Sequence, residues 1–174
     1  MEKKLKFCWE GVCLRTPSKN DIPKLTEIYS QKKHLQHVHM GRWTPEVRAK
    51  TFIKWSKEYD PEYINLVIEY NGLVVGEFDI YLASRAKIKI HGNPYVFTIF
   101  IDENYTSKHI GEKVMKILKT ELMTFLDIYN ISALVVPKNK GMQKFMEKQG
   151  FKLAKSKVKL NTPPLLLHYF YDKN

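Results

Sequence analysis

The chain has 174 residues and a mass of 20.6 kDa, with 44% hydrophobic and 27% charged residues, a balance typical of globular proteins that excludes a disordered chain. Its formal net charge of +11 favours polyanionic partners over polycationic ones. No apolar run approaches the roughly 18 residues of a membrane span, and no apolar stretch follows the basic N-terminus as in a secretory signal, so we expect a cytoplasmic protein without membrane contact.

Two β-hairpins are predicted in the N-terminal half of the chain. The dipeptide Glu10-Gly11 is typical of a tight two-residue turn. Asn71-Gly72 supplies the positive φ angles that a type I′ turn requires. The strands joined by these turns are predicted over residues 5–9, 12–16, 64–70 and 73–82.

Two helices are predicted between these hairpins. The first begins at a capping box formed by Ser18 and Asp21, or alternatively at Asn20 as the cap, because proline at position 23 is tolerated only in the first turn of a helix. The second begins at Thr44, a capping residue that is followed by a proline in the first helical position. The apolar side chains that we expect to be buried are Ile22, Leu25, Ile28 and Tyr29 in the first helix and Phe52, Trp55 and Tyr59 in the second.

Strands and helices alternate in the C-terminal half. A strand over 96–101 leads into a long helix with apolar residues at spacings of three and four, and a strand over 133–136 leads into a helix over 139–149. Two further strands are predicted over residues 151–160 and 165–171. The element order predicts one domain over residues 1–174, with an α/β (α+β) architecture. Its sheet is mixed, mostly antiparallel and of about seven strands, with helices on both faces.

Two cysteines and a cluster of three histidines are weak candidates for metal ligands. Cys8 and Cys13 lack a second ligand pair, and His34, His37 and His39 have no acidic or cysteine neighbours, so we expect no metal site. The first hairpin turn places the two cysteines opposite each other at a non-hydrogen-bonded position. We therefore expect thiols that are reduced in the cytoplasm but close enough to form a disulfide on oxidation.

The junction between the strand over 96–101 and the long helix is the most informative part of the sequence. A strand, a tight loop and a helix N-terminus direct unpaired backbone N–H groups and the positive end of the helix dipole to one point. Such a point suits a pyrophosphate, and Lys108 and Lys113 could add positive charge. The alternative is an ordinary connection between a strand and a helix.

Four segments resemble the GNAT superfamily of acyl-CoA-dependent N-acyltransferases, and the resemblance covers nearly the whole chain. Residues 101–111 (IDENYTSKHIG) are similar to its pyrophosphate loop. Residues 134–139 (LVVPKN) and 147–151 (EKQGF) are similar to the strand and the helix end of a second motif. Residues 10–15 (EGVCLR) resemble the branch that acetylates ribosomal-protein N-termini and small amines.

The resemblance implies acetyl-CoA as co-substrate, bound at the splay between the fourth and fifth strands. Two loop residues depart from the family pattern, because Thr106 replaces a basic or amide residue and His109 replaces the first glycine. Histidine tolerates the left-handed conformation that a glycine there would adopt. The implied cofactor-binding residues are Ile101, Thr106, Ser107, Lys108, His109, Ile110, Gly111 and Asn139.

Direct attack of an amine on the thioester requires a base and a donor for the oxyanion. The resemblance places the oxyanion and pantetheine contacts at the backbone of Phe100 and Ile101. Glu77 and Asp79 on the neighbouring strand, or a water chain to them, are the candidate base, and each could equally be a solvated charge. His37 is a further candidate.

The family's thiolate-protonating tyrosine aligns with Met146, which cannot donate a proton. We therefore expect an N-acetyltransferase that acts on a primary amine, whether a protein N-terminus, a lysine or a small molecule. The alternative is a non-catalytic module that binds acyl-CoA or nucleic acid on the same fold.

Lysines recur on one face of the helix over 139–149 and along the strand that follows it. They could bind the phosphates of CoA or of nucleic acid, but we favour solvated surfaces. Nucleic acid is thus not a favoured partner, and both a monomer and a homodimer stay open. These lysines are Lys140, Lys144, Lys148, Lys155, Lys157 and Lys159.

Overall fold

An eight-stranded sheet with the strand order β1-β2-β3-β4-β5-β6-β8-β7 forms the centre of the molecule. The structure is a computed structural model that describes residues 4–32, 43–159 and 165–173. Neighbouring strands are antiparallel except β5 and β6, which are parallel. The sheet has one strand more than the predicted seven, because β1 and β2 of the first hairpin are two separate strands of it. The prediction of a mixed, mostly antiparallel sheet is confirmed. The strands are β1 (Lys6–Trp9), β2 (Val12–Arg15), β3 (Tyr63–Tyr70), β4 (Leu73–Leu82), β5 (Tyr95–Ile101), β6 (Asn130–Val135), β7 (Lys152–Val158) and β8 (Leu166–Asp172).

Helices cover both faces of this sheet, as predicted. The helices are α1 (Ile22–Tyr29), α2 (Pro45–Trp55), α3 (Ile110–Ile117) and α4 (Lys140–Lys148). A π-helical segment, Leu118–Leu122, and a last turn, Met123–Phe125, prolong α3 into the predicted long helix. Helices α1 and α2 pack on one face around Val67, whereas α3 and α4 pack on the other around Leu66 and Ile68. Within the described ranges, no helix has the length and apolarity needed to cross a bilayer.

Both predicted hairpin turns have the expected backbone conformation. Glu10 and Gly11 have φ angles of 45° and 77°, and Asn71 and Gly72 have φ angles of 49° and 82°. The first turn pairs the two cysteines across β1 and β2, with their Cα atoms 4.1 Å apart, and the structure joins their sulfur atoms in a disulfide. The predicted register is therefore confirmed.

The second helix buries a different set of side chains from the predicted one. Ala49, Phe52 and Ile53 are buried, but Trp55 is 47% exposed and Tyr59, beyond the end of the helix, is 37% exposed. Trp55 lies in the last turn, where its ring packs edge-on against Tyr63 at the surface. The prediction of buried Trp55 and Tyr59 was wrong because the stripe that faces the sheet ends at Ile53.

Candidate active site

A cleft opens in the sheet where β5 and β6 diverge. The two strands pair at only three positions, and the last pair is Phe97 with Ala133. Beyond it lies a cavity of about 670 Å³, lined by residues 98–101 of β5 and by residues 134–136 at the end of β6. Backbone groups of β5 that face β6 have no strand partner beyond this point, so they can bind a ligand. The cleft lies between the strands predicted over residues 96–101 and 133–136, which are the fourth and fifth strands when the first hairpin is counted as one strand.

The loop after β5 brings the N-terminus of α3 to this cavity. His109 is the residue before the helix, and it adopts the left-handed conformation, with φ 56° and ψ 19°. His109 thus adopts the left-handed conformation that we expected of a residue replacing the family's glycine. The first backbone N–H groups of an α-helix have no partner within the helix, so those of α3 can bind an anion.

Six of the eight predicted cofactor-binding residues line the cavity. Lys108 and Ile110 are the two that do not. The backbone N–H of Lys108 donates to the carbonyl of Tyr105 at 3.1 Å, and its side chain is exposed outside the cavity. The side chain of Ile110 is buried in the core. The six that line the cavity are Ile101, Thr106, Ser107, His109, Gly111 and Asn139.

A side chain at Gly111 would meet the apolar wall of the cavity. A Cβ atom there would lie 3.1 Å from Cζ of Phe145 and 3.5 Å from Cδ1 of Ile101. The absence of a side chain therefore lets α3 approach the apolar wall of the cavity, and a larger residue would displace that wall.

An acidic residue lies unexpectedly beside the proposed anion site. Glu112, in the first turn of α3, lines the cavity, and Lys148 of α4 forms an ion pair with it at 2.7 Å. The ring of His109 lies 3.3 Å from the same carboxylate. These two neighbours, Lys148 first, lower the pKa of Glu112. Lys148 thus offsets a charge that would repel a phosphate.

The two candidate carboxylates lie on β4 and face α1 and α2. Glu77 is 2% exposed and Asp79 is 8% exposed, so the interpretation as solvated charges was wrong. Arg48 of α2 forms an ion pair with Glu77 at 2.6 Å, and the hydroxyl of Tyr29 donates a hydrogen bond to the same carboxylate. Two partners from different helices therefore fix the position of the Glu77 carboxylate.

Asp79 has fewer partners than Glu77, and its hydrogen-bond partner lines the cavity. The hydroxyl of Thr98, which lines the cavity, donates a hydrogen bond to its Oδ2 at 3.1 Å. Its Oδ1 is buried and has no hydrogen-bond partner among the described residues. Burial and the neighbouring charge of Glu77 raise the pKa of Asp79 well above its ordinary value, against the opposing effects of Arg48 and Thr98. A carboxylate with a raised pKa is suited to accept a proton from an amine.

An unpaired amide and two stacked rings adjoin Asp79. Asn65 is its partner across β3 and β4, and neither side-chain polar atom of Asn65 has a hydrogen bond within the described residues. Tyr63 and Tyr81 stack with their ring centres 5.5 Å apart. Burial and the charge of Asp79 raise the pKa values of both phenols. The rings of Tyr63 and Tyr81 thus lie beside Asp79 and Asn65.

Met146 lies at the position where the family resemblance implies a thiolate-protonating tyrosine. Met146 is fully buried and lines the cavity. Among the described cavity-lining residues, the hydroxyl groups belong to Thr98, Thr106 and Ser107, and none is a tyrosine. His37, the further candidate base, lies outside the described residues together with His34 and His39.

The residues that bind the carboxylate of Glu77 were not predicted from the sequence. Arg48 and Tyr29 come from two helices and lie 29 and 48 residues from Glu77 along the chain. The one local signal was the placement of Glu77 and Asp79 at alternate positions of an otherwise apolar strand, which indicates a shared face. Nothing in the spacing of the helices identified their partners.

A family model described as an acetyltransferase (GNAT) domain matches residues 12–152 of the chain. A search of curated proteins found no significant match. Among solved structures, the chain is similar to a GNAT-family acetyltransferase from Bacillus anthracis, with 17% sequence identity, 96% of each chain covered and a TM-score of 0.75.

Two further solved structures share this fold. The ribosomal L7/L12 alpha-N-protein acetyltransferase in complex with coenzyme A is 12% identical, with 97% of this chain and 98% of that chain covered and a TM-score of 0.76. AAC(6')-Ib in complex with paromomycin and acetyl-CoA is 16% identical, with 94% of each chain covered and a TM-score of 0.74. At these identities the likeness establishes the fold alone.

Proposed function

The chain belongs to the GNAT acetyltransferase family, and from this premise we propose that it transfers the acetyl group of acetyl-CoA to a primary amine by direct attack on the thioester. The observation that carries the proposal is the continuity of the β5–β6 cleft with the N-terminus of α3. One cavity offers an apolar channel, unpaired strand backbone and a helix N-terminus, in the order that pantetheine and pyrophosphate require.

The cofactor enters this cavity from the side of α3 and α4. The pyrophosphate binds at the backbone N–H groups of the loop, beside Thr106, Ser107 and His109. The pantetheine arm extends along β5 and forms backbone hydrogen bonds near Phe100 and Ile101. The same strand backbone donates to the oxyanion of the tetrahedral intermediate.

The acceptor amine enters from the opposite face, where α1 and α2 pack. Side chains alternate along β5, so Thr98 and Phe100 face the carboxylates, whereas Ile99 and Ile101 face α3 and α4. Thr98 both lines the cavity and contacts Asp79, and it therefore marks the point where acceptor and thioester meet.

Asp79 is the proposed base. An alkylammonium ion in water has a pKa of about 10, so the acceptor must lose a proton before its nitrogen can attack. Oδ1 of Asp79 takes this proton, directly or through one water. The nitrogen then forms the C–N bond and the C–S bond breaks. The proton of the attacking nitrogen passes to the departing thiolate, since Met146 cannot supply one.

The acceptor class follows from the charge of this face. Arg48 forms an ion pair with Glu77. Among the described residues, Asp79 has no such ion pair. A single carboxylate without an ion pair favours a monoamine or a protein N-terminus over a polycation, as does the net charge of +11. Aromatic rings around the cluster suit an ammonium ion.

Calorimetry with acetyl-CoA, followed by thiol release over a panel of amines and N-terminal peptides, tests the proposal. Binding with turnover supports it, and Asp79→Asn should then abolish turnover without loss of binding. Binding without turnover would instead identify a non-catalytic acyl-CoA module. Salt-sensitive binding of nucleic acid, without binding of acetyl-CoA, would identify the exposed lysines as the functional surface.

A further inference from the structure

A buried carboxylate joins the cofactor loop to helix α1. Asp102 follows β5 directly and is 0% exposed. Its Oδ1 accepts hydrogen bonds from the backbone N–H and the side-chain amide of Asn104, both at 3.0 Å. These two bonds fix the first turn of the loop. The remaining partners of the carboxylate come from a different part of the chain.

Those partners are Lys24 and Gln31. Lys24 lies within α1 and forms an ion pair with Oδ2 of Asp102 at 2.8 Å. Gln31 lies just beyond the end of α1, and its side-chain amide donates to Oδ1 of Asp102 at 2.9 Å. The carbonyl oxygen of the same amide accepts the backbone N–H of Glu103 at 3.1 Å. Residues of the α1 segment therefore hold the loop at three points.

The carboxylate of Asp102 is ionised in this position. Burial would raise its pKa, but the ion pair with Lys24 and the hydrogen bonds from Asn104 and Gln31 outweigh burial and lower the pKa below the ordinary value. Removal of a partner from a buried ion is strongly unfavourable, because the charge is then uncompensated. Because the carboxylate is buried, solvent screens this ion pair less than it would screen an exposed one.

Helix α1 also carries a residue of the acceptor face. Tyr29, in its last turn, donates its hydroxyl to Glu77, whose charge raises the pKa of the proposed base. A continuous set of contacts thus runs from the cofactor loop through Asp102 and α1 to the carboxylate cluster.

We propose that Asp102 is a positioning residue that couples the cofactor loop to α1, so that binding of CoA at the loop also orders the helix that supports the acceptor face. The proposal rests on the proposed function for the identity of the ligand. Coupling of this kind is reciprocal, and a variant that breaks it weakens cofactor binding even when it touches no cofactor atom.

Hydrogen exchange followed by mass spectrometry tests the coupling, with CoA as the probe. In the parent protein, CoA should slow exchange in peptides that cover residues 103–112 and also in peptides that cover residues 22–31. Lys24→Met removes the ion pair at a residue that does not line the cavity. In this variant CoA should still protect the loop, but protection of residues 22–31 should be lost, and the CoA affinity should fall about fivefold.

Glu27→Gln is the matched control. Glu27 forms an ion pair with the same lysine at 2.7 Å, but it is exposed and does not contact Asp102. This variant should bind CoA as the parent does and keep both regions of protection. If Lys24→Met fails to fold, Asp102→Asn provides a second break of the link at a residue that does not line the cavity, because it removes the charge that faces Lys24 but keeps an oxygen that can accept the backbone N–H of Asn104.

Three results would overturn the proposal. The first is protection of the loop alone in the parent, and the second is equal CoA affinity and equal protection in Lys24→Met and Glu27→Gln. Either leaves the proposed function intact. The third is a parent that does not bind CoA, which overturns the proposed function and the coupling together.

Discussion

Thr98 and Asp79 form a hydrogen bond across β4 and β5, at 3.1 Å, and this bond connects the cavity to the buried carboxylates. Thr98 lies one position beyond the last residue of β5 that pairs with β6. The bond therefore lies where the sheet opens. The base that we propose on β4 would therefore reach the cleft beside this small polar residue of β5.

Asp79→Asn should lower the rate of acetyl transfer at least a hundredfold, the loss typical of a missing general base. The affinity for acetyl-CoA should change less than twofold, because Asp79 does not line the cavity. Steady-state thiol release and calorimetry on the same preparation measure the two quantities. Equal losses of turnover and of cofactor affinity would mean that Asp79 supports the cleft and takes no proton.

Thr98→Val should shift the pH profile of acetyl transfer. The hydroxyl of Thr98 stabilises the ionised form of Asp79, so its removal raises a pKa that is already above the ordinary value. A base must be ionised to act, so the rate should rise with pH through the pKa of Asp79, and this limb should move to higher pH in the variant. The profile of kcat/KM, measured from acid to neutral pH, tests this, and an unshifted limb would assign the titration to another group.

The raised pKa of Asp79 should also make the free energy of unfolding depend on pH, which can be measured without an acceptor substrate. A carboxyl group with a higher pKa in the folded state binds its proton more tightly there than in the unfolded chain, where the pKa is about 3.9. Its contribution to stability is therefore complete below that value and is lost as pH rises through the folded pKa. Asp79→Asn carries no such charge. Urea unfolding over a pH series should show the parent losing stability relative to this variant as pH rises, and a constant difference would contradict the raised pKa.

The hairpin turns could be predicted from sequence because their chemistry is local. Asn71-Gly72 adopts positive φ angles for reasons contained in the two residues. The helix N-terminus that follows β5 was also predictable from local order, whereas the cleft between the strands was implied by the family resemblance. The pairing of Glu77 with Arg48 was not predictable, because its two partners meet only when a helix packs across the sheet. Trp55 illustrates the same limit, since its exposure depends on where α2 leaves the sheet.

Gly72→Val tests the second hairpin. Gly72 has a φ of 82°, and a Cβ atom placed there would meet no other atom within 4 Å, so the cost comes from the backbone alone. A left-handed conformation costs a side chain about 1–2 kcal/mol, and the free energy of unfolding should fall by that amount. The turn residues do not line the cavity, so the affinity for acetyl-CoA should stay constant. An unchanged denaturation midpoint would exclude the type I′ assignment.

Gly111→Val tests the cofactor site itself. A Cβ atom at this position lies 3.1 Å from the ring of Phe145, closer than most such contacts, and the branched side chain of valine adds two further carbon atoms against the same wall. We expect the ring to move and the cavity to narrow beside the helix N-terminus, with at least a tenfold loss of acetyl-CoA affinity, about 1.4 kcal/mol. Calorimetry gives the affinity, and a melting curve shows whether the fold is retained.

A double-mutant cycle with Phe145→Leu separates this explanation from a general loss of packing. If the valine acts through the ring of Phe145, the smaller leucine should restore much of the affinity that Gly111→Val removes, so the two changes are not additive. Additive losses would mean that the side chain meets the phosphates directly. Binding as tight as that of the parent in Gly111→Val alone would mean that the N-terminus of α3 holds no pyrophosphate, and the proposed acetyltransferase activity would lose its main support.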